Sequence, residues 1–391
     1  MAIEGDKIKS APRRLRLGMV GGGEGAFIGG VHRIASRIDD RYELVAGAFS
    51  SDAARSKSSA AALLVAPDRA YASFEDMAGR EKARPDGIDV VAIVTPNHLH
   101  MPIAKAFLEA GIHVICDKPL TTNLKDAEAL AALVKRSGLG FCLTHNYTGY
   151  PLIRQAREMV RAGALGKLRV IQAEYPQDWL STKLEATGQK QALWRTDPAQ
   201  SGPVGSLGDL GTHAYNLIRF ITGLELEAVA ADFQSFVEGR RVEDNAHLML
   251  RFKGGARGLL WASQCAPGNA NNLKVRFYGE SGGLEWAQEN PNLLVHSPLG
   301  EQPRVLSRGG AGLGGAAGAA TRIPPGHPEG YLEGFAQLYR DFAEQLSARL
   351  EKRAPDPMAL LTPTVDDGVD GVRFVTRAVE SNQKNGAWVV Y

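Results

Sequence analysis

The chain has few cysteines, no long apolar run and no excess of charge of either sign, and each shortage removes a class of function. Three cysteines in 391 residues (Cys116, Cys142 and Cys265) are too few and too scattered for a disulfide framework or a thiolate zinc site, so no metal centre is expected. No uncharged stretch approaches the roughly 20 residues that span a bilayer. The opening MAIEGDKIKSAPRR lacks the apolar core of a signal peptide. A cytoplasmic protein with no membrane partner is expected, with a periplasmic one behind an unseen leader as the alternative. Lys and Arg total 45 against 43 Asp and Glu, for a net charge of +2. That balance argues against nucleic acid as a partner, which calls for a concentrated basic surface. Glycine, by contrast, is abundant at 44 residues.

The length predicts two domains or one large one, and the pattern of elements favours two, with the boundary near residue 147. In 1–147, short apolar runs alternate with amphipathic stretches. Strands are expected at Leu15–Val20, Tyr42–Ser50, Ile88–Thr95, Ile112–Cys116 and Gly140–Thr144. Helices are expected at Ile28–Ile38, from Ala53 onward, and at Pro102–Ala110 and Leu124–Ser137. This alternation means right-handed βαβ units and a doubly wound parallel sheet, an α/β fold. In 148–391, helices over 151–162 and Asp209–Thr222 give way to consecutive strands. These run over Ala228–Phe236, Asn245–Phe252, Gly258–Ser263, Leu273–Tyr278, Gly283–Trp286 and Leu293–His296. Short turns between them suggest an antiparallel sheet and hence an α+β domain. Helices near Tyr331–Leu350 and Val365–Ser381 close the chain. The low-complexity stretch Gly309–Ala320 reads as a flexible surface loop or a mobile segment over an active site.

After the first strand, Gly21-Gly22-Gly23-Glu24-Gly25-Ala26 fits the dinucleotide fingerprint through Gly21, Gly23 and Ala26, in the strand–turn–helix context the motif requires. Gly21 permits the tight turn, Gly23 lets backbone approach a pyrophosphate, and Ala26 keeps the helix close to the strand. Glu24, Gly25 and Phe27 fall in the same turn, where free amides at the helix start bind the anion. The second strand should end in an acid for the ribose hydroxyl of NAD, but Phe49-Ser50-Ser51 stands there. Ser50, Ser51 and Arg55 can instead meet a 2′-phosphate, so the cofactor is NAD or NADP.

Three further motifs share the chain with this turn: Thr95-Pro96-Asn97-His98-Leu99-His100, Cys116-Asp117-Lys118-Pro119-Leu120 and Gly208-Asp209-Leu210-Gly211-Thr212-His213. In order and spacing the four resemble the glucose–fructose oxidoreductase / inositol dehydrogenase (Gfo/Idh/MocA) family across nearly the whole chain. The resemblance implies a Rossmann domain followed by a domain with a large open antiparallel sheet. It implies catalytic roles for Lys118, Asp209 and His213, with the family's Glu-Lys-Pro shortened to Asp117-Lys118-Pro119. Thr95, Pro96, Asn97 and His100 match the cofactor-facing loop, and Asp117, Asn146, Trp194 and Arg195 are further cofactor candidates. Tyr147, Tyr175, Trp179 and His327 join the catalytic residues as candidates to line the substrate site.

The residues themselves point the same way. Asp209 and His213 stand four apart, one face of a helix, and Lys118 follows a parallel strand, where open α/β sheets place ligands. A histidine suits removal of a carbinol proton, and an ammonium suits the alkoxide that develops. His213 is thus the candidate base, although Lys118 and His213 can exchange roles. The expected activity is NAD(P)-dependent oxidation of a ring hydroxyl of a sugar, anhydrosugar or cyclic polyol to a ketone, with levoglucosan and inositols as the types suggested by Gly25–Gly29 and His145–Tyr150. Two rivals remain: a sugar–sugar oxidoreductase that retains its cofactor, and a non-catalytic nucleotide sensor on the same fold. An open sheet with one bare face implies a homo-oligomer, dimer or tetramer.

Overall fold

The computed structural model describes residues 13–391. Residues 1–12, most of the opening stretch read above for a signal peptide, lie outside the described residues. The first sheet holds β1 (Leu15–Gly21), β2 (Tyr42–Ala48), β3 (Val90–Val94), β4 (His113–Cys116) and β5 (Phe141–Leu143) in the order β2-β1-β3-β4-β5. All its pairs are parallel. Each of the five residues of β3 is buried, as a strand covered on both faces requires. The helices between the strands are α1 (Phe27–Ile38), α2 (Ala53–Ala62), α3 (Phe74–Ala83), α4 (His100–Glu109) and α5 (Leu124–Ser137). Of these, α3 has no counterpart in the sequence reading.

The second unit opens with α6 (Pro151–Arg161), β6 (Leu168–Pro176), α7 (Lys190–Arg195), α8 (Pro198–Ser201) and α9 (Thr212–Thr222). Seven strands follow: β7 (Leu226–Gln234), β8 (Asn245–Phe252), β9 (Arg257–Ser263), β10 (Lys274–Gly279), β11 (Gly282–Ala287), β12 (Leu293–Pro298) and β13 (Arg304–Ser307). The chain ends with α10 (Gly315–Ala320), α11 (Tyr331–Leu350), α12 (Val365–Gln383) and the short β14 (Val389–Val390). The sheet has nine strands in the order β13-β12-β11-β10-β6-β9-β8-β7-β14. Its pairs are antiparallel except β6 with β9, which run parallel. The sheet is therefore mixed, and its central strand β6 escaped the sequence reading. Gln172 and Glu174 on its open side, with Arg169 exposed near its start, interrupt the apolar run that would have marked it.

The Gly/Ala-rich stretch divides in two: 309–314 are turns and irregular chain, as a surface loop would be, whereas the second half corrects that reading. Its second half is α10, seated on α6: the Gly314 amide donates to Gln155 Oε1 (2.7 Å) and the Ala316 amide to Glu158 Oε1 (3.0 Å). Ala316, Ala317 and Ala320 are buried. Side chains this small let two helix backbones approach closely, and two polar residues of α6 take up amides that the first turn of α10 leaves free.

The final helices return to the first sheet. Phe335, Leu338, Tyr339, Phe342 and Leu346 of α11 share a core with Leu15, Leu17, Met19 and Val31. Val365, Val369 and Val372 of α12 join the core on the sheet's other side, with Val91, Ile93 and Leu120.

Candidate active site

The loops that follow β1, β3, β4 and β5 all open at the carboxyl edge of the parallel sheet. β1 ends in Gly21 with φ +82, and a Cβ there would stand 2.8 Å from the Val94 carbonyl oxygen. At Gly23 a Cβ would lie 2.7 Å from the Phe49 oxygen, so the turn lies against the tips of β2 and β3 with room for backbone alone. α1 begins with no side-chain cap, which leaves its first amides for an anion. Glu24, Gly25 and Phe27 are exposed and Ala26 half-buried around this opening. Two buried polar atoms have no partner here, Thr95 Oγ1 after β3 and Asn146 Nδ2 after β5. An uncapped helix start, a side-chain-free turn and these orphaned polar atoms fit a dinucleotide. No acid stands free at the tip of β2: Asp52 caps α2 by accepting the Arg55 amide (2.7 Å), while Ser51 and Arg55 are exposed and Ser50 half-buried.

Two members of the expected cofactor loop serve to hold loops together. The His100 ring, fully buried, faces the Pro119 carbonyl (2.7 Å) with Nδ1 and the Thr95 carbonyl (3.0 Å) with Nε2, so both nitrogens are engaged with backbone. Asn97 donates to the Ser201 carbonyl (2.9 Å), which ties the loop after β3 to α8, while Pro96 is half-buried beside it. The Lys118–Pro119 peptide is cis. Asp117 accepts from Thr144 Oγ1 (2.5 Å) and lies 3.2 Å from His32 Nε2. Burial alone would raise its carboxyl, but His32 and Thr144 hold it below the usual carboxylate range.

Lys118 Nζ donates to Asp209 Oδ1 (3.0 Å) and to the Asp209 carbonyl. The other carboxylate oxygen, Oδ2, accepts from Arg195 Nε (3.1 Å) and from Gln264 Nε2 (2.9 Å). Burial would lift the Asp209 carboxyl, yet Lys118 and Arg195 together pull it well below its ordinary range. Asp209 does not sit on a regular helix, which corrects the reading that placed it on one helical face with His213. It lies in a π-helical turn, Leu207–Gly211, that runs into α9. A Cβ at Gly211 would stand 2.6 Å from Leu207 Cδ1 and 3.4 Å from Ala262 Cβ, so a larger residue there would have to displace the Leu207 side chain. Such turns recur at functional sites because they re-aim a side chain.

His213 is 8% exposed, with its ring 4.9 Å from that of Tyr147 and 5.5 Å from that of His145, both edge-on. Its Nδ1 has no partner. Burial, then the neighbouring Lys118, hold His213 well below the usual imidazole range, so it stands neutral near pH 7. Beside it, Tyr147 and Tyr175 share a hydrogen bond, and Tyr175 donates to Asn271 Oδ1 (2.7 Å), which also takes Gln177 Nε2 (2.6 Å). The Arg195 guanidinium lies 4.2 Å from the Trp194 ring centroid and 5.8 Å from that of Trp179.

The fold thus gathers Lys118, Asp209, His213, Arg195, Tyr147, Tyr175, Trp179 and Trp194 around one cleft. His327 lies on the exposed 323–328 stretch, where Arg308 donates to the Ile323, Pro324 and His327 carbonyls. Sequence reasoning missed Gln264, Asn271 and Gln177. Gln177 and Gln264 follow the ends of β6 and β9 and Asn271 leads into β10, none of them in a motif, and the pairing of β6 with both β9 and β10 brings them together.

Comparison with known proteins places the chain in a family. Residues 15–145 match the model described as "Oxidoreductase family, NAD-binding Rossmann fold", and residues 153–285 match the GFO/IDH/MocA C-terminal domain. An oxidoreductase from Sinorhizobium meliloti is 52% identical over 96% of this chain and 99% of its own, with a TM-score of 0.88. An inositol dehydrogenase homologue from Azotobacter vinelandii, solved with NADH and myo-inositol, is 37% identical over 97% of this chain and 98% of its own, with a TM-score of 0.90. A levoglucosan dehydrogenase solved with NADH and levoglucosan is 25% identical over 97% of this chain and 99% of its own, with a TM-score of 0.80.

Proposed function

The chain belongs to the GFO/IDH/MocA family of NAD-binding oxidoreductases, and on that premise we propose that it oxidises a ring hydroxyl of a cyclic polyol or sugar to a ketone, an inositol-like ring being favoured. The observation that carries this reading is the junction of Lys118, Asp209 and neutral His213 at the carboxyl edge of the nucleotide-binding sheet. NAD, held by the Gly21–Phe27 turn with Thr95 and Asn146, supplies the hydride acceptor when bound.

His213 takes the proton of the reacting hydroxyl, its neutrality secured by burial and by Lys118. Lys118 donates to the oxygen as negative charge builds there. Asp209 holds Lys118 with one oxygen and Arg195 with the other, so both cations keep fixed places without neutralising the base. Tyr147, Tyr175 and Trp179 supply aromatic walls and hydroxyls for a ring of alcohols. The preference for an inositol-like substrate over an anhydrosugar rests on the greater likeness to the myo-inositol-bound neighbour, 37% against 25% identity. The bare face of the nine-stranded sheet, with Met249 and Leu259 about half exposed, suits a homo-oligomer.

A panel of inositols, sugars and anhydrosugars, assayed with NAD and NADP separately, tests the substrate class. Stoichiometric release of reduced cofactor excludes the retained-cofactor alternative. Lys118→Ala and His213→Ala are expected to lower kcat at least 100-fold, in line with loss of general-base or electrostatic assistance (~10²–10⁴-fold), while nucleotide affinity by fluorescence titration stays within a few fold. Turnover like that of the unaltered enzyme in either variant overturns the assigned roles.

A further inference from the structure

We propose that Glu243, in the lead-in to β8, is a positioning residue for the site carboxylate: it sets where Asp209 stands by gripping the turn that carries it. The kinetic part of this inference rests on the dehydrogenase reading above; the structural part does not.

Glu243 is 7% exposed, and each of its carboxyl oxygens takes a backbone amide just ahead of Asp209. Oε2 accepts from the Gly205 amide (2.7 Å), and Oε1 from the Leu207 amide (2.8 Å) and Ser206 Oγ (3.4 Å). Its own carbonyl accepts the Ser206 amide (3.1 Å). Three successive residues are thus pinned to one, and any side chain at Gly205 would strike the Glu243 carbonyl. A second route reaches Asp209 from the same stretch. The Asp244 carbonyl accepts the Gln264 amide (2.8 Å), and the Gln264 side chain donates to Asp209 Oδ2. Residues 243–244 therefore fix Asp209 both from its backbone side and from its carboxylate.

The choice of a carboxyl here is chemically specific. No described cation pairs with Glu243, and burial pushes its carboxyl up to about 7 against the pull of the Leu207 and Gly205 amides. Placing such a group in the interior is costly. An ionised carboxylate, however, is the one side chain of this length that presents two acceptor oxygens and no donor. A glutamine has one acceptor oxygen, and its amide nitrogen would face a backbone N–H. The Gly205–Leu207 segment then has to shift, and Asp209 moves off Lys118 and Arg195.

The test compares Glu243→Gln with the unaltered protein, with Glu243→Asp as a second variant that keeps the charge but is one methylene too short to reach both amides. Two readouts are taken on folded protein. One is the titration of the Asp209 carboxyl by ¹³C NMR, assigned by its absence in Asp209→Asn. The other is kcat and KM on the best polyol. In Glu243→Gln, Asp209 is expected to titrate closer to the ordinary carboxylate range. In parallel, kcat should fall between about 10- and 100-fold, the scale of a sub-ångström to ångström misplacement, while KM for NAD stays within twofold. Glu243→Asp should move both in the same direction by less, and it decides the matter if Glu243→Gln does not fold. An unmoved Asp209 titration overturns the proposal whatever the turnover does, and so does a moved titration with unchanged kcat. If the unaltered protein oxidises no polyol, the dehydrogenase reading fails, and the Asp209 titration still decides the role of Glu243.

Discussion

His213 and His145 meet edge to face inside the cleft, and burial followed by the charge of Lys118 depresses both, His145 to about 3. His113, half-buried at the start of β4, is brought down to about 4 by burial and Arg349. In the unfolded chain each of these imidazoles takes up a proton near 6.5. Between about 6.5 and 3 the unfolded state therefore binds protons that the folded state refuses. The stability these groups contribute is whole above about 6.5 and drains away as the pH falls toward their folded values. Thermal melts taken from pH 7.5 to 4 should show Tm falling below pH 6.5, and His145→Gln, which cannot titrate, should show a shallower fall. A Tm flat across that range would contradict the burial-driven neutrality of these rings. The catalytic counterpart is that the acidic limb of kcat/KM should lie below 6.5, because His213 remains an unprotonated base there.

At the scale of elements, α10 shows what small residues accomplish when they are patterned for contact. Ala317 is fully buried on a helix that meets α6 through main chain and alanine alone. Ala317→Leu should overpack this contact and lower stability by about 1–3 kcal/mol in urea titrations, with kcat unchanged. The same helix explains why parts of the fold were hard to see in the sequence. A run of Gly and Ala has the composition of a linker, and its helical state depends on α6, which no local pattern reveals. β6 was hidden for a related reason: it is central in order, but one of its sides faces outward and carries Gln172 and Glu174. The parallel strands were legible because burial on both faces writes itself as continuous Val, Ile and Ala, as in β3. At the site, Lys118, Asp209 and His213 were legible because each lies in a motif at a strand end or helix start. The π-helical turn, Gln264 and Glu243 were not, since their roles arise only where β9 and the lead-in to β8 come beside the turn before α9. His100 was found as part of the right loop but for a different task, joining backbone segments.

Across the whole molecule, no described helix is long and apolar enough to cross a membrane, and the two sheets are bound together by the chain's own end. α11 supplies Phe335, Leu338, Tyr339, Phe342 and Leu346 to the core of the first sheet, each worth roughly 1.5–3 kcal/mol of burial. Their sum exceeds much of the net stability of an ordinary domain, about 5–15 kcal/mol. Removal of residues 331–391 should therefore abolish nucleotide binding as well as folding of the first unit, although no residue of the Gly21–Phe27 turn is deleted. The intact chain should unfold in one transition, with loss of bound NAD and of tryptophan fluorescence at the same urea concentration. A soluble, NAD-binding fragment ending at residue 330 would contradict this.

The return of α11 and α12 also bears on how the protein is made. Synthesis proceeds from the amino end, so the strands of the first sheet leave the ribosome long before the helices that cover them. For most of translation those strands wait with one flank of their core uncovered, a surface that holdase chaperones recognise. The nucleotide site is expected to become competent only after residues 331–372 of α11 and α12 have emerged. A premature stop upstream of α11 is then expected to yield an aggregation-prone chain that does not sequester cofactor.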